Sequence, residues 1–467
     1  MNGSVILRVL SGFLGLFAIP TFACSVWAFQ NDRYQQASLF ITAFMTSAVV
    51  SAILAVATHH RRQEYAQARD VVGFLIFGWL ILAILGAIPF LLVADGSIAA
   101  ALFEAVSCAT TTGTTLLNDG LLLPASLVAW RGILHILGAI LSVSGVVMVV
   151  NLVGSSLPGL SSSIPMRFNT DFSRESFFRI FLSLGAMIVG LCVLFAIPIL
   201  IDGGSLRAAF GLSVGALTTG KVFDVGAYAF NPGWLSELTL ILALIIGSVN
   251  IVLLFNCFRK PKSFFLNFET IAVVVLIAVL AVLLFSILPK GIDPFRIIGI
   301  AASIVSTSGL VIGEGDGISI PVPVLLFFGF VGGAAISATG GMKIYRISVL
   351  LARAGHEFQR LAQPNAVLNF EKNGERFPVN FVLTVWAYLV AFAVISIFLA
   401  ASLALMGADF QDAIMTALGS ITNSAALIPT EWIRNSAQTG LVEFSLSAFM
   451  ILGRLELLLL LSLVLSD

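Results

Sequence analysis

Two short runs in this 467-residue chain share a pattern with chemical consequences. Thr111-Thr112-Gly113 and Thr218-Thr219-Gly220 each end a segment that opens on an Asp-Gly pair, with the aspartate (Asp95 or Asp202) eighteen residues before the final glycine. The two segments also share Ala101/Ala208, Phe103/Phe210 and Ala109/Ala216. A later pair uses a shorter spacing. Asp293 lies sixteen residues before Gly309 and Asp409 sixteen before Ala425, with Ile298/Ile414, Ala301/Ala417 and Ser308/Ser424 in common. The four terminal runs, completed by Thr307-Ser308-Gly309 and Asn423-Ser424-Ala425, hold no nucleophile–base or metal-ligand set, so an enzyme reading finds no support. What they offer is backbone oxygen. Rings of carbonyls that replace an ion's hydration shell are how potassium filters work, and glycine supplies the positive φ that turns a carbonyl without a side-chain clash. The alternative, four unrelated loops rich in small residues, does not account for the spacing matched within each pair.

Such loops need elements that hold them at depth. Hydrophobic residues make up 59% of the chain and charged residues 10%, with a mean hydropathy of +1.05; a soluble domain averages about a quarter charged residues. Apolar runs such as Ser4–Phe29, Val71–Val93 and Phe268–Leu288 meet the roughly 20 residues that crossing a bilayer requires. The stretch from Asp95 to Ala109 is too short to cross and predicts a half-helix, capped by Asp95 or Ser97. The Thr/Ser/Gly-rich run after it must line a water-filled cavity or be buried in protein. The expected fold is therefore an all-α polytopic membrane protein of about ten transmembrane helices. Residues 1–70 form two N-terminal helices, and four pseudo-repeated span–half-helix–loop–span units follow over 71–158, 159–262, 263–365 and 366–467.

Charge sets the orientation. One alternate set of loops carries Arg61, Arg62 and Arg69; Arg167, Arg174 and Arg179; Arg259, Lys260 and Lys262; and Arg346, Arg353, Arg360, Lys372 and Arg376. The positive-inside rule places these loops, and both termini, in the cytoplasm. Most acids lie on the other side (Asp32, Asp95, Asp119, Asp202, Asp224, Asp293, Glu314, Asp316, Asp409, Asp412 and Glu431), where they concentrate cations by field focusing. Net charge is zero, which gives no basic patch for nucleic acid. Met1–Phe29 lacks a clear small-residue cleavage site and reads as a retained helix. Cys24, Cys108, Cys192 and Cys257 show no CxxC spacing, so neither a disulfide framework nor a metal site follows. His59, His60, His135 and His356 are scattered and read as packed or interfacial.

The span from Pro321 to Leu351 is interrupted by Gly332, Gly333, Gly340 and Gly341, with Ser337 and Thr339 between them. Glycine costs about 1 kcal/mol per residue in a helix interior, so this helix is expected to open into a loop near mid-membrane; a close small-xxx-small helix contact is the alternative. Lys343 follows at once, and Arg454 lies inside the last apolar run. A basic side chain at that depth faces a cavity or a partner, and Arg454 is expected to pair with Glu456, bind loop carbonyls, or snorkel to the cytoplasmic edge.

With these residues in hand, the chain resembles the Trk/Ktr/HKT superfamily of potassium transporters, and most closely its TrkH branch. The likeness covers nearly the whole chain. Its most specific pieces are Ala101-Leu-Phe-Glu-Ala-Val-Ser-Cys-Ala-Thr-Thr-Thr-Gly113, Gly332-Gly-Ala-Ala-Ile-Ser-Ala-Thr-Gly-Gly-Met-Lys343, Gln363-Pro-Asn-Ala-Val367 and Met450-Ile-Leu-Gly-Arg-Leu-Glu456. The resemblance implies gated potassium uptake, by channel or symport, through a fused four-unit pore in the cell inner membrane. It implies potassium as the ion held at the filter residues and no bound cofactor. It further implies a homodimer seated on a cytoplasmic, nucleotide-binding TrkA-type regulatory subunit, and a flexible gate at Gly332–Gly341 with Arg454 beside it.

Two departures bear on the ion. Lys221 directly follows the second filter glycine, where relatives carry glycine or an aromatic residue, and Ala425 takes the place of the fourth glycine. Alanine resists a left-handed backbone by roughly 1–2 kcal/mol. Lys221 is expected to modulate the pore mouth, either pointing into it or turned toward Asp224. A sodium- or ammonium-permeable pore and a non-conducting scaffold or regulatory relative stay open beside potassium uptake. The orientation is directly testable. A cysteine placed at Gln359 should be shielded from an impermeant thiol reagent in intact cells, and labelling from outside would overturn the topology.

Overall fold

In hydrocarbon each backbone N–H and C=O must be satisfied within its own segment, and the apolar runs of this chain accordingly form helices. The computed structural model describes residues 3–59, 68–117, 123–153, 174–223, 232–257, 261–289, 291–310, 320–363, 371–372, 375–376, 379–436 and 438–455. In chain order the helices are α1 (Gly3–Gln30), α2 (Tyr34–His59), α3 (Ala68–Ala87), α4 (Ile98–Ala109), α5 (Ala125–Val153), α6 (Arg174–Ile201), α7 (Leu206–Thr218), α8 (Trp234–Ser248) and α9 (Ile251–Phe255). There follow α10 (Pro261–Phe265), α11 (Phe268–Ile287), α12 (Pro294–Val305), α13 (Val322–Phe330), α14 (Ile344–Ala362), α15 (Val379–Leu405), α16 (Phe410–Thr422), α17 (Thr430–Asn435) and α18 (Thr439–Arg454). Glu371–Lys372 and Glu375–Arg376 pair as a two-residue antiparallel ladder between α14 and α15.

Seven of these helices (α1, α2, α3, α5, α6, α11 and α15) are long and apolar enough to cross a membrane. The fold is that of an all-α, multi-pass membrane protein. The other spans expected from the sequence differ for physical reasons. The run from α8 into α9 breaks at Val249-Asn250, and the run from α13 into α14 opens between them. The last apolar stretch is described only to Leu455. The expectations placed on His60, Arg61, Arg62, Asp119, Arg167, Asp224, Arg259, Lys260, Glu314, Asp316, residues 364–367 and Glu456 fall outside the described residues.

Four short helices set the plan. Each packs against the long helix before it in sequence: α4 on α3, α7 on α6, α12 on α11 and α16 on α15. Each also receives the helix that follows the previous short one, with α5 on α7, α8 on α12, α13 on α16 and α18 back on α4. The four units therefore close into a ring in chain order. Helices α1 and α2 pack together outside this ring, with α1 against α3, α5 and α6. The Phe13 ring meets Phe74 and Phe181 edge-on at 6.2 and 6.0 Å, and Phe17 meets Trp130 at 5.5 Å. Most of α2 is exposed, as lipid contact requires.

Glycine allows the ring to close. A Cβ at Gly138 in α5 would overlap the Ala109 carbonyl oxygen. At Gly247 in α8 it would overlap the Leu217 carbonyl, and at Gly453 in α18 the Ile421 carbonyl. In three units the backbone of a neighbouring helix thus touches the end of a short one directly. Packed sites that gain a methyl typically lose about 1–3 kcal/mol, whereas an unhindered helical Gly→Ala gains up to about 1 kcal/mol. Gly138→Ala should therefore lower the melting temperature in detergent. Gly190→Ala in α6, where nothing lies within 4 Å of the new methyl, should hold or raise it.

Candidate functional site

The short helices begin and end alike. Ser97 accepts from the Ala100 amide (3.3 Å), Ser205 from Ala208 (3.2 Å) and Asp293 from Phe295 (3.0 Å). Asp409 holds the same N-cap position without a side-chain bond. Each cap stands fourteen residues before a residue in the left-handed region: Thr111 (φ 56°), Thr219 (φ 57°), Thr307 (φ 62°) and Asn423 (φ 52°). Asparagine tolerates this conformation, but for a β-branched residue it is an outlier that costs of order 1–3 kcal/mol. All four are buried. The amide of each bonds the carbonyl three residues back (Cys108, Ala216, Ile304 and Ser420). The chain thus turns sharply at four equivalent points inside the protein.

This regularity corrects the register read from the sequence. The Asp-Gly pairs lie before the caps, where Asp95 (φ 50°) and Gly203 (φ 87°) turn the chain out of the preceding helix. The Thr-Thr-Gly match between the first two loops is off by one residue. Thr219 corresponds to Thr111, Gly220 to Thr112 and Lys221 to Gly113, because Thr110-Thr111-Thr112 lets the motif slide. The third position of the turn is therefore Gly113 (φ 81°), Lys221, Gly309 (φ 64°) and Ala425, and only the two glycines have positive φ. Thr218 ends α7 one residue before its turn.

Neighbouring loops touch. A Cβ at Gly113 would strike the backbone of Lys221, and one at Gly309 would lie 2.9 Å from the Ala425 methyl and 2.6 Å from the Ala426 nitrogen. Thr112 donates its hydroxyl to Asn423 Oδ1 at 3.1 Å, which joins the first and fourth loops. The filter candidates Thr111, Thr112, Gly113, Thr218, Thr219, Gly220, Thr307, Ser308, Gly309, Asn423, Ser424 and Ala425 are thus brought together. Lys221 is half-buried at their edge, and Asp224 lies outside the described residues.

The opened span passes beside these turns. Residues 331–343 leave the helix, with Gly341 at φ 71°, and several of their backbone groups find partners. Gly332 donates to the Met342 carbonyl (2.9 Å), Met342 to Phe330 (2.8 Å) and Ile344 to Gly333 (3.1 Å). The Gly340 amide donates to Thr307 Oγ1 at 3.0 Å, which ties the loop to the third turn. Two buried cations hold its carbonyls. Lys343 Nζ donates to the Thr339 carbonyl at 2.6 Å. Arg454 donates through Nη1 to the Ala338 carbonyl (2.7 Å), through Nε to the Thr110 carbonyl (2.5 Å), and through Nη2 to Thr111 Oγ1. Arg454 therefore binds carbonyls of the loop and the end of α4 at once, and snorkelling is excluded by its burial. A cavity lies beside this knot, lined by Ser142, Thr339, Lys343, Tyr388, Phe392 and Arg454.

Two features of this region escaped the sequence reading. The first is the break between α8 and α9, which receives the loop: Ala334 donates to the Ser248 carbonyl and Ile251 to the Ile336 carbonyl, both at 2.9 Å. Asn250 caps α9 by accepting from Val252 and Leu253. Asparagine inside an apolar run after Gly-Ser was the available signal. The second is a buried ion pair between Glu104 of α4 and Arg131 of α5. Glu104 Oε1 also accepts from Thr115 Oγ1 and the Leu116 amide, both at 2.8 Å. Arg131 Nε donates to the Val222 carbonyl at 2.7 Å. One pair thereby fastens the strands that leave the first and second turns. Arg434 Nη2 donates to the Leu117 carbonyl at 3.2 Å from the fourth unit. A lone acid in the apolar α4 sequence and a lone arginine in the apolar α5 sequence were visible, but nothing in their spacing joins them.

Fold and site together define a polytopic membrane protein in which the turns ending four short helices are buried and neighbouring loops touch. A scan against protein-family models finds no match. Curated proteins do match along almost the whole chain. The "Trk system potassium uptake protein TrkH" of Vibrio parahaemolyticus is 26% identical over 98% of both chains. The protein of the same name from Halomonas elongata is 25% identical over 98% of this chain and 97% of its own. The crystal structure of the potassium transporter TrkH from Vibrio parahaemolyticus superposes with a TM-score of 0.80 at 24% identity, covering 99% of this chain and 98% of that one. The likeness to TrkH-type potassium uptake proteins thus extends over nearly the full length in sequence and holds in fold.

The ion pair yields a direct test. Removing one partner of a buried pair costs about 3–5 kcal/mol, whereas replacing both by apolar groups is often close to neutral. Arg131→Met and Glu104→Leu should each lower the melting temperature sharply, and the double variant should recover most of the loss. Additive losses would mean that the two side chains act independently.

Proposed function

We propose that this chain carries a monovalent cation, potassium by its likeness to the named relatives, across the cytoplasmic membrane along the line where the four helix ends meet. The observation that carries this reading is the set of four buried left-handed turns at Thr111, Thr219, Thr307 and Asn423. Each lies at a helix carboxyl end, which bears roughly half a negative elementary charge. Four such ends around one line attract a cation and repel an anion. The turns hold strained backbone, and strain of this kind collects where geometry serves a ligand. Threonine hydroxyls and backbone carbonyls are neutral oxygens, suited to an ion that must also leave.

The loop of residues 331–343 is the barrier on this path. It crosses under the turns, bonded to Thr307 on one side and through Arg454 to Thr110 and Thr111 on the other. Opening it requires releasing the Lys343 and Arg454 bonds together. In this reading both termini are cytoplasmic, and Arg346, Arg353 and Arg360 of α14 face the cytoplasm. The relatives are named as parts of a Trk system, a name that fits an assembly of several subunits; in this reading the chain works as a homodimer beside a cytoplasmic nucleotide-binding subunit docked near α14. The half-buried Lys221 favours a pore of low ion affinity over a tightly binding one.

Expression in cells that lack their own uptake systems should restore growth at low potassium. Deleting residues 335–338 should raise rubidium flux in proteoliposomes several-fold and leave ion preference unchanged, because the turns are untouched. Unchanged or abolished flux in an inserted, folded variant would remove the barrier assignment. Absence of both rescue and flux in the parent chain would favour a non-conducting scaffold.

A further inference from the structure

The third position of the four turns departs from four-fold symmetry in a definite way. Gly113 and Gly309 belong to the first and third units, which stand opposite each other in the ring, and both have positive φ. Lys221 and Ala425 belong to the second and fourth, and neither does. A change in the sign of φ rotates the preceding peptide plane, so the two pairs of units present that peptide differently. The fourth loop shows where its oxygens go. After Ser424 it enters a 3₁₀ turn over Ala425–Leu427. There the Ser424 carbonyl accepts from Leu427 (3.2 Å) and the Ala425 carbonyl from Ile428 (3.3 Å). Those two carbonyls are engaged within the loop's own turn.

Gly220, which resembles a turn glycine in the sequence, is a glycine for another reason. Its φ lies outside the left-handed region, and an added Cβ would stand 2.6 Å from His135 Cε1 and 2.8 Å from His135 Nδ1. The Thr111 carbonyl oxygen and the buried His135 ring of α5 fill the space that a side chain would take. Room rather than turning explains this glycine, which leaves the ring position in the second loop to Lys221. Gly113 in turn has the Lys221 backbone packed against it.

We propose that Lys221 stands in the ion-coordinating ring itself, and that this ring is two-fold, with turned peptides supplied by Gly113 and Gly309 only. The proposal rests on reading the loops as an ion site and names the residues that set its specificity. A ring with two of four peptides turned away replaces only part of an ion's water shell, so it ranks potassium over sodium weakly. Lys221 then acts in two separable ways, through the backbone conformation that its Cβ enforces and through its charge.

Three substitutions separate these effects. Lys221→Met removes the charge and keeps the Cβ. Lys221→Gly removes both. Ala425→Gly changes only the backbone. Ion preference is read by thermal stabilisation of purified protein in sodium, potassium, rubidium and caesium chloride, and transport separately by rubidium flux in proteoliposomes. The expected result is that Lys221→Met strengthens stabilisation by all four ions alike. Lys221→Gly and Ala425→Gly should each shift preference toward potassium over sodium by about tenfold, the scale of a Cβ-bearing residue's cost in a left-handed turn. If Lys221→Gly and Ala425→Gly leave the preference of folded protein unchanged, the two-fold ring is wrong, whatever the flux. A preference shift without rubidium flux in any variant would keep the ring and overturn the transport reading. Absence of cation-dependent stabilisation throughout would overturn both.

Discussion

Four α-helices stop inside this protein with their carboxyl ends turned toward one another, and the remaining structure answers that constraint. The last carbonyls of a helix have no partner within it, and in an apolar body they have no water unless a cavity supplies it. Each end is therefore finished by a single left-handed residue that sends the chain back, and three of the four are threonines. A β-branched side chain in that conformation persists only where its surroundings over-determine it. The surroundings do so through backbone contact: Gly138, Gly247 and Gly453 let neighbouring helices press on the carbonyls of Ala109, Leu217 and Ile421. Strain at the turns and glycines in the neighbouring helices are two sides of one arrangement.

The same constraint explains where the buried charges lie. A lone charge in a low-dielectric interior is costly, and it stays only with hydrogen-bonded partners. Arg454 meets three carbonyls and a hydroxyl at the junction of α4 and the 331–343 loop. Glu104 and Arg131 hold each other and the strands beyond two turns. Loop backbone therefore supplies oxygens that charged side chains satisfy, and the charged side chains fix loops that would otherwise have no helical bonds. Lys343 completes the set by binding the Thr339 carbonyl four residues before it, which curls the loop on itself.

Much of this was legible in the chain, and the failures are instructive. The interrupted span could be read because four glycines and a lysine inside an apolar run oppose helix continuity locally. The half-helices could be read because their length falls short of a bilayer and Ser97 marks a start. Register failed where composition was degenerate: three consecutive threonines at Thr110–Thr112 allow two matches to Thr218-Thr219, and only backbone φ chooses between them. The Glu104–Arg131 pair and the seat formed by Ser248 and Ile251 were hidden because their partners are distant in sequence. Pairing between different helices leaves no periodicity to read.

Fusing four units in one chain has a physical consequence that four separate subunits would not share. In a symmetric assembly every substitution occurs four times, so a residue such as Arg454 would place four guanidinium groups around one line and repel the others strongly. Here Arg454 belongs to α18 of the fourth unit, and the glycine-rich opening to the third. The second unit carries the Asn250 break that receives the opening. The corners of the ring thereby differ from one another while the turns keep a common fourteen-residue spacing from their caps. The third position of the turn is free to diverge for the same reason, because a single Cβ at one corner strains one loop, and the glycine of its neighbour gives it room. Gly113 beside Lys221 and Gly309 beside Ala425 are that accommodation, made pairwise between adjacent units and never around the whole ring.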